Sequence, residues 1–260
     1  MACNFNNMNY EILMSLFSYL KLRNLKKNSL VCKRWNLVAN EVSVIVNFIF
    51  HEFAFTPFDW NTYANLKVSS KESELAYNLL LKSKIAKILK SDNHSFPGER
   101  FIDSHMLVWI PENMNLNSFG ELLKQKENFS NNKNGFRFIT DKLYKNVGSK
   151  SLESGWVLMA KKVIEVSLNQ PFKLAIEALN SHDESKWRVP KISEAAICIS
   201  AIYLKTEKFL FNEEPLIYTY CQETVDKHQA IVGGFQRTGL HILDSSSKPR
   251  MGVAPLWKLT

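Results

Sequence analysis

Cys221 is followed closely by Asp226, His228, His241 and Asp244. A thiol hydrolase needs a cysteine thiolate, a histidine that takes its proton and a polar group that orients the histidine. Those residue types are present here, without a local signature of such an enzyme around them. Cys198 lies in the apolar run AAICISAIYL and is expected to be an inert core thiol. Gly234 and Gly239 have the glycine spacing of a phosphate-binding loop after the strand-like Ala230–Val232. Such a loop continues with Lys and Ser or Thr, to hold phosphate and magnesium. Leu240 and His241 stand there instead, so a hairpin turn is expected. Glu213 and Glu214 precede Pro215 in a polar stretch and are expected to be solvated rather than an acid–base pair. The four cysteines, Cys3, Cys32, Cys198 and Cys221, form no C-x-x-C pair and have no histidine at a zinc spacing. The expectation is a protein with no catalytic residues, no cofactor and no metal.

Charge points elsewhere. The formal net charge is +8, and Lys21, Arg23, Lys26, Lys27, Lys33 and Arg34 lie between Glu11 and Glu41 with no acid among them. Such a stretch attracts an acidic protein surface or nucleic acid, or is a solvated basic face. The elements that carry it are helical. Leu13, Leu16, Phe17 and Leu20 recur at i, i+3, i+4 and i+7, and Val31, Trp35, Val38 and Val42 at i, i+4, i+7 and i+11 form a second helical stripe. No glycine precedes Gly98 and no proline precedes Pro57, which suits helices. Three small helices in a compact bundle follow, too small to bury much core alone. A DNA reader would need a recognition helix rich in Asn, Gln and Arg, which this stretch lacks.

The residues from Met8 to Ala39 resemble the F-box. The resemblance rests on Glu11-Ile12-Leu13, Leu16-Phe17-Ser18-Tyr19-Leu20, Leu25 and Ser29-Leu30-Val31-Cys32-Lys33-Arg34-Trp35-Asn36, in order and without insertion. Met8-Asn9 replaces the usual opening Leu-Pro, and Lys26 and Asn28 stand where apolar residues are common. The resemblance implies docking on Skp1, the acidic linker of cullin-RING ubiquitin ligases. Leu13, Leu16, Phe17, Leu20, Leu25, Leu30, Val31, Cys32 and Trp35 would bind it, with Lys33 and Arg34 complementing its charge. A partner groove would complete the core that the bundle leaves open, and Trp35, Phe17 and Leu20 would be the anchors. Ordinary core packing of a helical cap is the competing explanation.

After this unit, Val44–Phe58 could be a strand or a buried helix continuation. Glu72, Leu75, Leu79, Ile85, Ile88 and Leu89 fit one long helix over Lys71–Lys90. Strands are expected at Met106–Ile110, Phe136–Thr140 and Trp156–Ala160. A helix capped by Asn117 or Ser118 should run through Leu122 and Leu123, and residues 128–135 should be a solvated loop. Phe172–Leu179 should form a helix after Pro171, and Ile192–Leu204 a helix buried on most sides. Ile217–Tyr220, Ala230–Val232 and Leu240–Leu243 should be antiparallel strands, with Gly233-Gly234, Gly239 and Ser245–Lys248 as turns. Phe48, Phe50, Phe53, Phe55, Phe58 and Trp60 are expected to be mostly core.

The fold class is therefore α+β: a three-helix F-box-like unit, then a mixed helix and antiparallel-sheet domain. The divisions are residues 1–45, a connecting helical segment over 46–100, and a cargo-recognition domain over 101–260. No repeat period is present. Trp156-Val157-Leu158-Met159, Glu194-Ala195-Ala196-Ile197-Cys198 and Ile231-Val232-Gly233-Gly234-Phe235 resemble a terminal module of F-box and leucine-rich-repeat proteins of chlamydia-related intracellular bacteria. That resemblance implies a bacterial effector working in a host cytosol. At 260 residues, with 45% apolar and 22% charged, the chain fits a globular protein. No apolar run is long enough to span a membrane, and the start lacks the pattern of a signal peptide. The expected partners are Skp1 and a protein cargo, not nucleic acid or membrane, and the expected location is the cytoplasm.

Overall fold

The computed structural model describes residues 54–82, 85–93, 95–126, 135–137, 141–180, 186–212 and 214–259. Two four-stranded sheets enclose one helix. The first sheet has the order β1 (Ala54–Phe55), β2 (His105–Ile110), β3 (Gly155–Ala160) and β8 (Leu256–Leu259). The second has the order β6 (Gly239–Asp244), β5 (His228–Gln236), β4 (Ile217–Val225) and β7 (Arg250–Gly252). Each is mostly antiparallel, with one parallel pair at its edge, β1 with β2 and β7 with β4. The α+β class is what this arrangement shows.

The enclosed helix spans Ile192–Thr206, and every residue from Ile192 to Tyr203 is buried. It touches β1 and β2 on one side and β4, β5 and β6 on the other. An all-round apolar surface suits a helix with protein on every side. Its amino end carries free N–H groups that need acceptors. Glu194 accepts from Lys191 N at 2.8 Å, and Glu223 of β4 accepts from Ile192 N at 3.0 Å. Arg188 holds Glu194 through two bonds of 2.7 Å, a fork that matches a carboxylate.

Helices α1 (Pro57–Ala64), α2 (Ser70–Lys82), α3 (Ile85–Lys90) and α4 (Phe101–Ser104) precede β2; α5 (Leu116–Lys124) and α6 (Asp141–Val147) separate β2 from β3; α7 (Phe172–Asn180) leads to the enclosed helix, α8. Tryptophans join α1 and α2 to the first sheet. Trp60 Nε1 donates to the Trp109 carbonyl at 2.6 Å, and Trp156 Nε1 donates to the Ala76 carbonyl at 2.6 Å. Trp109 and Trp156 face each other across β2 and β3, with ring centres 5.5 Å apart. Glu72 accepts from Trp109 Nε1 and Glu112 N, so this carboxylate fastens α2 to the end of β2.

Several expectations are corrected. Lys71–Lys90 holds two helices, and Leu75, assigned to the apolar face, is 49% exposed while Ala76, Tyr77 and Leu80 are buried. The inward stripe is rotated because the first sheet, not sequence period alone, decides which face is covered. Asn115, rather than Asn117 or Ser118, caps α5, with its Oδ1 accepting from Ser118 N. Phe136 and Arg137 form a bend, not a strand; residues 138–140 and the expected loop over 128–134 lie outside the described residues. Gly233 and Gly234 lie inside β5 rather than in a turn. The aromatic run needs no such correction: Phe55 and Trp60 are core, Phe58 is 67% exposed, and Phe48, Phe50 and Phe53 lie outside the described residues. The strands β7 and β8 were not foreseen, being short and each directly preceded by a proline, Pro249 and Pro255.

Candidate functional site

The expected scaffold-docking residues, Leu13, Leu16, Phe17, Leu20, Leu25, Leu30, Val31, Cys32, Lys33, Arg34 and Trp35, lie outside the described residues. The described part begins at β1, where Lys205 of α8 donates to the Ala54 carbonyl at 2.7 Å.

The groups considered for thiol chemistry are dispersed. Cys221 is wholly buried, and burial first, then the carboxylates of Glu223 and Glu194, push its thiol well above the usual range. Its sulfur faces the Thr219 carbonyl at 3.9 Å. His228 is exposed and stands opposite Val225, while Asp226 occupies the turn before it. Asp244 accepts from Ser246 N and closes a short 3-10 turn. His241 points to a different partner, with Nδ1 lying 2.9 Å from Tyr218 Oη. A wholly buried thiol with a raised pKa offers little thiolate to a substrate. Cys198, also wholly buried, has its thiol pushed up in the same way.

The glycines that suggested a phosphate loop serve β-structure. Gln236 pairs with Gly239 across a tight connection through Arg237 and Thr238, the expected hairpin. Gly234 has φ +55°, and a Cβ there would lie 2.5 Å from Tyr218 Oη. The residue must be small because the tyrosine hydroxyl reaches across the strand to His241. Arg137 donates to Gln236 Oε1 at 3.3 Å and to Thr238 Oγ1, which brings its charge to the same edge. Burial, with Arg137 adding to it, lowers the His241 pKa to about 4.

A second buried histidine has no counterpart in the sequence reading. His105 begins β2, and its Nδ1 lies 3.0 Å from Ser104 Oγ and 3.3 Å from Asn93 Nδ2. Ser104 Oγ donates to the Arg100 carbonyl and accepts from Asn93, so its one hydroxyl proton is committed to the backbone rather than offered to the imidazole. Among the described residues Nε2 has no hydrogen-bond partner, and Phe96, Phe101 and Trp187 wall the buried ring. Burial, reinforced by Lys161, pushes the imidazole pKa down to about 3. The serine, histidine and asparagine types meet here, but as a neutral structural cluster.

Beside that cluster opens a cleft of about 460 Å³, lined in part by Phe96, Phe211 and Ile217. One wall is the turn over residues 95–99, tied back to Asn93. Asn93 N donates to the Glu99 carbonyl, Glu99 N to the Phe96 carbonyl, and Ser95 N to Asn93 Oδ1. The other is the segment from Lys161 to Leu168, pinned to the edge strand β7 and the residue after it. Ile164 N donates to the Val253 carbonyl at 2.8 Å and Asn169 N to the Met251 carbonyl at 2.7 Å. Ser167 Oγ donates to the Ile164 carbonyl and accepts from Val253 N. Gly252 permits this approach, because a Cβ there would sit 2.8 Å from Ser167 Oγ. Lys162 joins the two walls by an ion pair with Glu99. No sequence period marks the cleft, since it draws on residues 95–99, 161–168, 211, 217 and 250, far apart in the chain.

Among the described residues no cluster of acidic, histidine and cysteine side chains could hold a metal. No described helix is long and apolar enough to cross a membrane.

Residues 10–48 match the F-box-like family model. F-box domains typically bind Skp1 in ubiquitin ligases without catalysing a reaction, and the match supports that general role for this chain. No curated protein and no solved structure matches the chain.

Proposed function

We propose that the protein is an F-box adaptor: residues 1–45 dock on Skp1 of a cullin-RING ligase and the remainder presents a bound protein for ubiquitination. The match over residues 10–48 carries this reading. The spacing of Leu13/Leu16/Phe17/Leu20 and Val31/Trp35 in the sequence offers apolar anchors for a groove, and Lys33 and Arg34 complement an acidic partner. In the proposed division, residues 46–100 connect the docking unit to a cargo-recognition domain over residues 101–260. The contribution to the reaction is proximity, which holds a substrate lysine near a charged conjugating enzyme. The location is the cytosol, and the chlamydia-related resemblance of the C-terminal part favours a host cell's cytosol and an effector role.

Calorimetric titration of Skp1 into the purified chain tests the reading, beside a Leu16→Ala/Trp35→Ala variant whose folding is checked by circular dichroism. Saturable binding by the wild type alone is the expected result. No binding at micromolar concentration would overturn the adaptor reading and assign the cost to Met8, Asn9, Lys26 and Asn28.

A further inference from the structure

We propose that the cleft between the 95–99 turn and the 161–168 segment is a docking site for an extended, acidic peptide segment of a partner protein, with one apolar side chain flanked by carboxylates. It deepens the adaptor reading by assigning the cargo site, and rests on that reading for the word cargo alone.

Shape is the first support. A cleft of about 460 Å³ lies in the range of built ligand sites, roughly 300–1,000 Å³. Both walls are hydrogen-bonded turns, so little ordering is left to be done on binding. The floor is apolar, with Phe211 and Ile217 almost fully covered.

The second support is what the rigid wall shows to solvent. Val166 sits on the 3-10 turn Glu165–Ser167 and is 64% exposed. Leu174, on the helix α7 that packs against this turn, is 46% exposed. These are two of the few large apolar side chains that the described surface leaves open. An apolar pair beside a cleft marks an interaction surface more than it marks a free loop.

Charge selects the occupant. Lys161, Lys162 and Arg250 line the cleft against Glu99 and Glu165. Glu99 is taken by Lys162, whose ammonium also lies 5.2 Å from the Phe96 ring. Arg250 is half-buried in β7, and among the described residues its guanidinium has no hydrogen-bond or ion-pair partner. A guanidinium in a fixed strand, open to a cleft, is suited to a carboxylate. An apolar residue of the peptide would lie against Val166 and Phe211, with its acidic neighbours on Arg250 and toward Lys161.

The test uses the full chain and a set of short fluorescein-labelled peptides, each with one Leu, Phe or Trp between Glu or Asp residues, beside lysine-flanked counterparts. Fluorescence anisotropy should show saturable binding to acidic members of the set only. Arg250→Glu and Val166→Asp should each weaken binding about tenfold or more. Arg237→Glu, the same charge change at the exposed β5–β6 hairpin, should leave it unchanged. Thermal midpoints establish that the variants are folded. Absence of saturable acidic-peptide binding, or equal losses in Arg250→Glu and Arg237→Glu, would overturn the proposal. Skp1 titration of Arg250→Glu separates the two readings. Retained Skp1 binding with lost peptide binding supports both. Peptide binding by the wild-type chain without Skp1 binding leaves the cleft assignment standing and removes the adaptor.

Discussion

Lys205 Nζ lies 3.2 Å from Asp59 Oδ2, with both side chains nearly sheltered from water. The ammonium also holds the Ala54 carbonyl, so the last turn of the enclosed helix α8 fixes the strand and helix that open the described fold. Asp59 is itself tied to Thr56, accepting from its backbone N–H and its hydroxyl. Removing one partner of a buried pair leaves the other charge without compensation. Lys205→Ala should destabilise the protein by about 3 kcal/mol, read by urea unfolding. Lys205→Met combined with Asp59→Asn should cost less than the sum of the two single changes. Strict additivity would show that the two groups do not interact.

Gly233 is a sharper constraint than its neighbour. A Cβ at this position would lie 2.4 Å from the Ile217 carbonyl oxygen and 2.7 Å from Tyr218 Cα, both backbone atoms of the adjacent strand. Side-chain repacking offers no relief there, because β4 itself must move away. Gly233→Ala should cost about 3 kcal/mol, at the upper end of overpacking effects. It should also raise amide exchange in β4 and β5 ahead of β2 and β3. Gly98→Ala serves as the comparison. It has a positive φ but nothing within 4 Å of its Cβ, so it should cost only its backbone strain, about 1 kcal/mol.

Strong local periods were legible in the sequence, and long-range closures were not. AAICISAIYL announces a helix buried all round, and α8 is that helix. Met106–Ile110 and Trp156–Ala160 announce strands, and β2 and β3 pair in that place. What could not be read was the return of the chain end. Arg250–Gly252 becomes an edge strand only because Ile217–Thr219 is there to pair with it. The cleft depends on that closure, since Arg250 arrives beside Lys161–Leu168 only through β7. His105 was passed over for a related reason: a lone histidine at a strand end carries no signal until Asn93, Ser104 and three aromatic rings surround it. Gly233-Gly234 misled because the pair is a turn signal by type, whereas here it meets Tyr218 across a strand.

His105 and His241 should make the fold acid-sensitive. Burial lowers their pKa values to about 3 and about 4. In the unfolded chain both return to the ordinary value of about 6.5. The unfolded state then binds more protons below that value, so the stability they contribute is whole above about pH 6.5 and declines as the pH falls toward their folded values. Each histidine should remove up to about 2 kcal/mol between about pH 7 and pH 5. Urea unfolding across that range checks the sign. His105→Phe, a substitution that suits the Phe96, Phe101 and Trp187 surround, should flatten the dependence whatever it does to stability at neutral pH. An unchanged pH slope in that variant would remove His105 from the explanation.

Cys221 separates an adaptor from a thiol enzyme by chemistry as well as by mutation. Its thiol is wholly buried and its pKa is pushed up by burial, Glu223 and Glu194. Alkylation requires both access and thiolate. Iodoacetamide at neutral pH should therefore leave Cys221 unmodified in the folded protein and modify it in urea, as peptide mass mapping will report. Cys221→Ala should cost about 1 kcal/mol for the lost sulfur contacts and leave Skp1 binding and support of ubiquitin transfer at wild-type levels. Rapid modification of the native thiol, coupled to loss of function in a folded Cys221→Ala variant, would demand a different conformation of β4. In that conformation the strand would turn Cys221 outward and bring a base to it, and the protein would be a thiol enzyme rather than an adaptor.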